Sequence, residues 1–130
     1  MGVSKTAGLV ESISAVTLLT QDMSSAVGFY KLLGFELARG GEDAAFSTFR
    51  AGTQYLNLSM ESADQKETSS RGVWGRTIFY VRNVDDMYRV CLEAELEPSF
   101  APRDAVWGER YFHIVDPDGN ELSFARPILP

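Results

Sequence analysis

Cysteine and histidine each occur only once in the 130-residue sequence, as Cys91 and His113. One cysteine excludes an internal disulfide, and the cytoplasm is the default location for such a chain. No stretch approaches the roughly 18 apolar residues that a membrane-spanning helix requires. The first residues also lack the apolar core of a signal peptide. We therefore expect a cytoplasmic protein that makes no membrane contact.

Positive charge is also scarce. The chain has 12 Lys and Arg residues against 18 Asp and Glu residues, which gives a net charge of −6. Nucleic-acid binding requires a basic surface, so this balance argues against it. Net negative charge would steer a cationic ligand toward the protein, or it serves only solubility. The sequence lacks a phosphate-binding loop, a nucleophile elbow and a Cys-x-x-Cys pair, and we expect no cofactor.

One strand–helix pattern occurs twice along the chain. In each half a short strand ends at a helix-capping residue, Asp22 or Asn83. Gly34 ends the first helix, and the second is expected to stop before Pro98. Apolar residues recur at helical spacing in both helices. The two stripes consist of Met23, Ala26, Val27, Tyr30 and Leu33 in the first helix and Met87, Val90, Cys91 and Ala94 in the second.

Three short strands are predicted after each helix. They cover residues 35–40, 45–50 and 54–60 in the first half and residues 97–101, 109–116 and 120–126 in the second. We therefore predict one α+β domain over residues 1–130, with βαβββ modules at 12–60 and 76–127 joined by a polar linker at 61–75. The curved mixed sheets would pair into a cup with the helices outside. The cup forms within one chain or across a swapped pair, and the open sheet edges favour a homodimer.

The segment "HIVDPDGNELSFAR", residues 113–126, is typical of a hairpin turn between two alternating strands. Pro117 sets φ, Gly119 supplies a positive φ, and the Asp116 carboxylate can accept hydrogen bonds from the backbone. The second strand alternates polar with apolar residues, so Glu121 and Ser123 share one face. The turn residues therefore have a structural role, whereas the polar face of the second strand is a candidate for a binding or catalytic site.

Two motifs resemble a known superfamily. "QDMSSAVGFYKLLGFEL", residues 21–37, is similar to the first helix and strand of the vicinal oxygen chelate superfamily, which includes glyoxalases, bleomycin-resistance proteins and extradiol dioxygenases. "YFHIVDPDGNELSFARP", residues 111–127, resembles its closing hairpin. The resemblance covers roughly residues 12–127. It implies the paired βαβββ fold, a small-molecule pocket and often a homodimer.

Enzymes of this superfamily usually hold a divalent metal with four inward His and Glu side chains. The resemblance puts Ala15, Asn57, Arg76 and Ser123 in those positions. Alanine has no donor atom and arginine is a permanent cation, while neutral asparagine and serine oxygens are weak ligands without carboxylate or imidazole partners. We expect no catalytic metal.

Strand alternation assigns the remaining side chains to two faces. Eight residues are predicted to pack under the helices, namely Val16, Leu18, Leu56, Leu58, Phe79, Val81, Leu122 and Phe124. Their neighbours would face the cavity, with two tryptophans at its rim. The candidate ligand-binding residues are Arg76, Tyr80, Asn57, Tyr111, His113, Glu121, Ser123, Trp74 and Trp107. Aromatic walls with a few convergent polar groups are typical of a ligand pocket.

Several of these residues allow two interpretations. Arg76 either points inward, paired with Glu121 or a ligand carboxylate, or bends to solvent at the start of its strand. His113 is either a hydrogen-bonded sheet residue or a general base, since it is the one side chain that titrates near neutrality. Trp74 and Trp107 either contact a ligand or pack at an interface between chains.

Two functions fit this set of residues. The first is metal-free binding and sequestration of an aromatic or amphipathic small molecule, similar to the bleomycin-resistance branch, and the sequence favours it over catalysis. The second is a lyase-, isomerase- or dioxygenase-like enzyme in which Arg76 replaces the metal and His113 or Glu121 transfers a proton.

Overall fold

The two halves of the chain form the same order of elements. The computed structural model describes residues 8–9, 11–61 and 76–128. The elements are β1 (Ala15–Thr20), α1 (Met23–Leu32), β2 (Glu36–Arg39), β3 (Phe46–Ala51), β4 (Gln54–Met60), β5 (Arg76–Tyr80), α2 (Val84–Glu93), β6 (Arg103–Asp104), β7 (Glu109–Val115) and β8 (Glu121–Pro127). The predicted linker lies outside the described residues except for Glu61. None of the described helices is long and apolar enough to cross a membrane.

The strands form two sheets of four. The first sheet has the order β1-β4-β3-β2 and the second the order β5-β8-β7-β6. In each sheet the strand before the helix pairs in parallel with the last strand, and the other pairs are antiparallel. Neither sheet closes into a barrel. The structure therefore confirms the α+β class and the two mixed sheets.

Matching caps define the helix starts. The Asp22 carboxylate accepts a hydrogen bond from the Ser25 amide at 3.2 Å, and the Asn83 side chain accepts one from the Asp86 amide at 3.0 Å. Each bond satisfies an amide that has no partner within its helix. Both predicted capping residues are confirmed.

Matching left-handed residues end the helices. Gly34 has a φ of 93°, and the Phe35 amide then donates to the Tyr30 carbonyl at 3.0 Å. In the second half Glu95 takes the same role with a φ of 62°. The Leu96 amide completes the equivalent bond. The second helix thus ends as the first does, although the sequence offers no glycine there.

Two expectations for the second half are wrong. The strand predicted at 97–101 is irregular and β6 is only Arg103–Asp104, because Pro98 and Pro102 have no N–H to donate to a ladder. Val90, predicted on the buried stripe, is 38% exposed. Val84, four per cent exposed, lies on the buried face of α2 instead.

One hydrophobic core joins both halves. The predicted stripe of α1 is buried, and so are five of the eight strand residues predicted to pack under the helices, namely Leu18, Leu56, Leu58, Leu122 and Phe124. The other three, Val16, Phe79 and Val81, are partly buried against the core, and burial does not alternate along β8, where Ser123 and Ala125 are buried as well. Phe35, just after α1, meets Phe79 of β5 with ring centroids 5.0 Å apart. The Tyr30 hydroxyl donates to Asp116 of the second half at 2.7 Å. These contacts bring β5 close to the C-terminal end of α1.

Candidate functional site

A cleft of about 910 Å³ is lined by residues from both halves. Its volume lies within the range of small-molecule pockets. The apolar wall includes Ile13, Ala15, Val16, Leu33, Phe35, Tyr55, Leu56, Ile78, Phe79, Met87 and Phe124. Among the described residues, the charged side chains that line it are those of Arg50, which precedes the β3–β4 turn, and Arg76 at the start of β5.

The structure divides the predicted ligand-binding residues between two places. Arg76 and Tyr80 line the cleft, and they also lie on the same face of the second sheet as their register partners Glu121 and Ala125. The others that the structure describes lie on the strand faces that point away from the helices. Asn57 lies on that face of the first sheet, and the second sheet carries Tyr111, His113, Glu121 and Ser123, with Trp107 just before β7. We call this side of the second sheet its open face. Trp74 lies outside the described residues.

Arg76, Glu121 and His113 form a polar array on the open face. Arg76 and Glu121 are register partners on parallel strands, and Arg76 Nε donates to Glu121 Oε1 at 2.6 Å. Arg76 thus pairs with Glu121, one of the two partners that the sequence left open, while its side chain remains 44% exposed. The other carboxylate oxygen lies 3.8 Å from His113 Nδ1. Desolvation, with a contribution from the nearby Arg76 charge, lowers the pKa of His113 below its ordinary value. The imidazole is therefore neutral at pH 7.

Aromatic rings cover the outer part of the open face. Tyr111 lies between Trp107 and His113, with ring centroids 5.5 Å and 5.2 Å away. Phe100 contacts His113 at 5.0 Å, and the Arg103 guanidinium stacks on the Phe100 ring at 3.8 Å. Arg103 Nε also donates to the Tyr111 hydroxyl at 3.1 Å. The sequence interpretation missed both residues: Phe100 lies in the segment wrongly predicted as a strand at 97–101, and Arg103 lies just after it in β6.

Glu109 at the start of β7 links Tyr80 of β5 to Trp107, which precedes β7. It accepts hydrogen bonds from the Tyr80 hydroxyl and, at 3.0 Å, from the Trp107 indole. Tyr80 spans β8 to reach it, which the small side chain of its register partner Ala125 permits. The hydrogen bond to Glu109 raises the pKa of Tyr80. Tyr80 is therefore a neutral donor at the rim of the cleft.

The four positions that correspond to metal ligands do not form a donor set. Ala15 lies in the cleft wall and Ser123 is buried. The Asn57 amide donates to Thr17 at 3.2 Å and accepts from Thr48 at 2.8 Å. Arg76 places a guanidinium where a cation would sit. Over residues 8–9, 11–61 and 76–128, no three His, Cys, Asp or Glu side chains come together as a metal-binding group. These residues do not fit a divalent ion.

Cys91 belongs to the core, as the sequence indicated. Its side chain is buried on α2, and burial raises the pKa of the thiol to about 11. The thiolate required for nucleophilic chemistry is therefore a minor species at pH 7.

Solved structures of other proteins share this fold. A lactoylglutathione lyase from Agrobacterium tumefaciens superposes with a TM-score of 0.73 at 20% identity, over 89% of this chain and 93% of that one. A bleomycin resistance determinant encoded on the transposon Tn5 gives 0.71 at 22% identity, over 91% and 99%. A bleomycin-binding protein complexed with bleomycin gives 0.69 at 22% identity, over 90% and 98%. At these identities the likeness concerns the fold.

A family model covers nearly the whole sequence. No curated protein matches the chain. The model of the Glyoxalase/Bleomycin resistance protein/Dioxygenase superfamily matches residues 12–124, which include the first-helix motif at 21–37 and all but the last three residues of the hairpin motif at 111–127. The chain belongs to this superfamily.

Proposed function

We propose that the protein binds a small molecule in the cleft between its two halves without a metal ion. The observation that carries this proposal is the cleft itself, which combines an apolar wall with the guanidinium of Arg76. An apolar wall supplies affinity by burial, and a single charged group fixes the orientation of the ligand. The bleomycin complex of one structural relative shows that the fold accommodates a small-molecule ligand.

Filling the cleft should abolish binding. Ala15 lies in the wall, so Ala15→Phe places a ring in the space that the ligand would occupy. We expect at least about a tenfold loss of affinity, measured by isothermal titration with naphthyl compounds as probes. Ala38→Phe, at an exposed position of β2, is the matched control and should bind as the wild type does. The proposal fails if no probe binds the wild type, or if Ala15→Phe binds as well as the control.

A second candidate function is metal-free catalysis on the open face. The Arg76–Glu121–His113 array favours it, because a neutral imidazole accepts a proton and a guanidinium stabilises an oxyanion. Conversion of a bound compound, followed by its NMR spectrum and lost in His113→Gln, would establish an enzyme. A ligand recovered unchanged supports binding alone.

We also propose a homodimer, active in the cytoplasm. Outside the cleft lining, the open face leaves Trp107 66% and Val115 47% exposed, and large apolar side chains of this kind are enriched at interfaces between chains. The free, buried Cys91 is consistent with a reducing compartment. Light scattering should give about twice the chain mass of 14.4 kDa at micromolar concentration. A mass of one chain at every concentration would contradict the dimer.

A further inference from the structure

The charged side chains that line the cleft are opposite in sign to the net charge of the protein. The chain carries a net charge of −6, yet the charged side chains among the described residues that line the cleft are Arg50 and Arg76, with no Asp or Glu. At physiological ionic strength a charge is screened beyond about 8 Å. A ligand inside the cleft therefore interacts with these two guanidinium groups and with the carboxylates paired to them, Glu36 and Glu121, more strongly than with the rest of the acidic surface.

The two arginines come from different halves of the chain. Arg50 is the register partner of Tyr55 on β4, and Tyr55 is the register partner of Ala15 on β1, so Arg50 extends the apolar wall at one end. Arg76 begins β5, next to Ile78 in the opposite wall. The cleft therefore presents a cation from each half at the border of an apolar interior.

Both guanidinium groups have a carboxylate partner outside the cleft lining. Arg50 Nη1 lies 3.2 Å from Glu36 Oε1, and Arg76 Nε lies 2.6 Å from Glu121 Oε1. Each of these contacts uses one of the five N–H donors of an arginine. The side chains of Arg50 and Arg76 remain 51% and 44% exposed. Both can therefore be oriented by a partner and still donate to a ligand.

We infer that the ligand is an amphipathic anion, with an apolar aromatic body against the wall and a carboxylate-type group at Arg50 or Arg76. This inference rests on the proposed binding function and names its ligand class. Planar guanidinium groups recognise carboxylates by parallel N–H donors, and the contact gains strength beside an apolar wall. A cationic ligand would meet two like charges at the same positions.

Three probes with one aromatic skeleton test the inference. They are 2-naphthylacetate, 2-(2-naphthyl)ethanol and 2-(2-naphthyl)ethylammonium, titrated calorimetrically against the wild type. We expect the anion to bind about tenfold or more tightly than the neutral alcohol, and the cation to bind most weakly. Equal affinities, or a preference for the alcohol or the cation, would overturn the anion inference and leave small-molecule binding intact. If none of the three binds, the proposed function itself fails.

Charge-specific variants locate the contact. Arg50→Gln and Arg76→Gln should each reduce the affinity for 2-naphthylacetate, by about tenfold in at least one of them, and change that for the alcohol less than about twofold. Arg39→Gln, on β2 and outside the cleft lining, is the control and should leave both affinities unchanged. Glu36→Gln should tighten anion binding by about twofold, because it frees Arg50 from an exposed ion pair. If both arginine variants keep the affinity for the anion, the anion is held elsewhere and the inference is wrong.

Discussion

Replacing Asp116 with alanine is expected to lower the free energy of unfolding by about 3–4 kcal/mol, one of the two largest effects we predict. Asp116 is 4% exposed and accepts four hydrogen bonds. The donors are the amides of Asp118 and Asn120, the Asn120 side chain and the Tyr30 hydroxyl. In the variant the hydroxyl of the fully buried Tyr30 loses its partner, and an orphaned buried donor costs about 1–3 kcal/mol by itself.

A double-mutant cycle separates the cost of the orphaned Tyr30 hydroxyl from the other effects of removing the Asp116 carboxylate. Tyr30→Phe alone should cost about 1.5–3 kcal/mol, the value of a hydrogen bond to a charged group. The double variant Tyr30→Phe/Asp116→Ala should be no less stable than Asp116→Ala, since it no longer contains the orphaned hydroxyl. Asp43→Ala, in the exposed β2–β3 loop, is the control. Urea denaturation measures all four variants, and strict additivity of the two single changes would contradict the shared hydrogen bond.

The sequence predicted the hydrogen bonds that Asp116 accepts within its own turn, but not the one from Tyr30. The Asp-Pro-Asp-Gly order indicates a turn in which Asp116 caps its own backbone, and Gly119 indeed has a φ of 87°. Nothing in that local pattern indicates that Tyr30, 86 residues earlier, donates to the same carboxylate. Helical periodicity predicted that Tyr30 is buried, but not which group satisfies its hydroxyl. Pairing between distant segments depends on how the halves dock.

The same limit applies to the candidate site. Alternation along β8 predicted that Glu121 and Ser123 share a face, and the family pattern brought Arg76 and Ser123 to the same site; the register that pairs Arg76 with Glu121 on adjacent strands was not predicted. Arg50 was missed, since alternation gives the face of a strand and not the end at which two sheets approach each other. The division of the predicted residues between the cleft and the open face has the same cause. Periodicity describes each sheet separately, whereas the cleft belongs to both.

The second large effect is expected at Phe35, the residue that joins the end of α1 to the second half. Its ring lies 5.0 Å from that of Phe79, 5.5 Å from Tyr30 and 6.3 Å from Phe49. Fully buried Phe→Ala changes cost about 3–5 kcal/mol, so Phe35→Ala, at a partly buried position, should cost about 2–3 kcal/mol.

Phe46→Ala is the matched control for this change. Phe46 is 45% exposed on β3, and its loss should cost less than about 1 kcal/mol. A double-mutant cycle of Phe35→Ala with Phe79→Ala should give a coupling energy of about 0.5–1.5 kcal/mol, since each ring is the other's aromatic partner. Zero coupling, or equal losses in Phe35→Ala and Phe46→Ala, would mean that this contact does not hold the halves together.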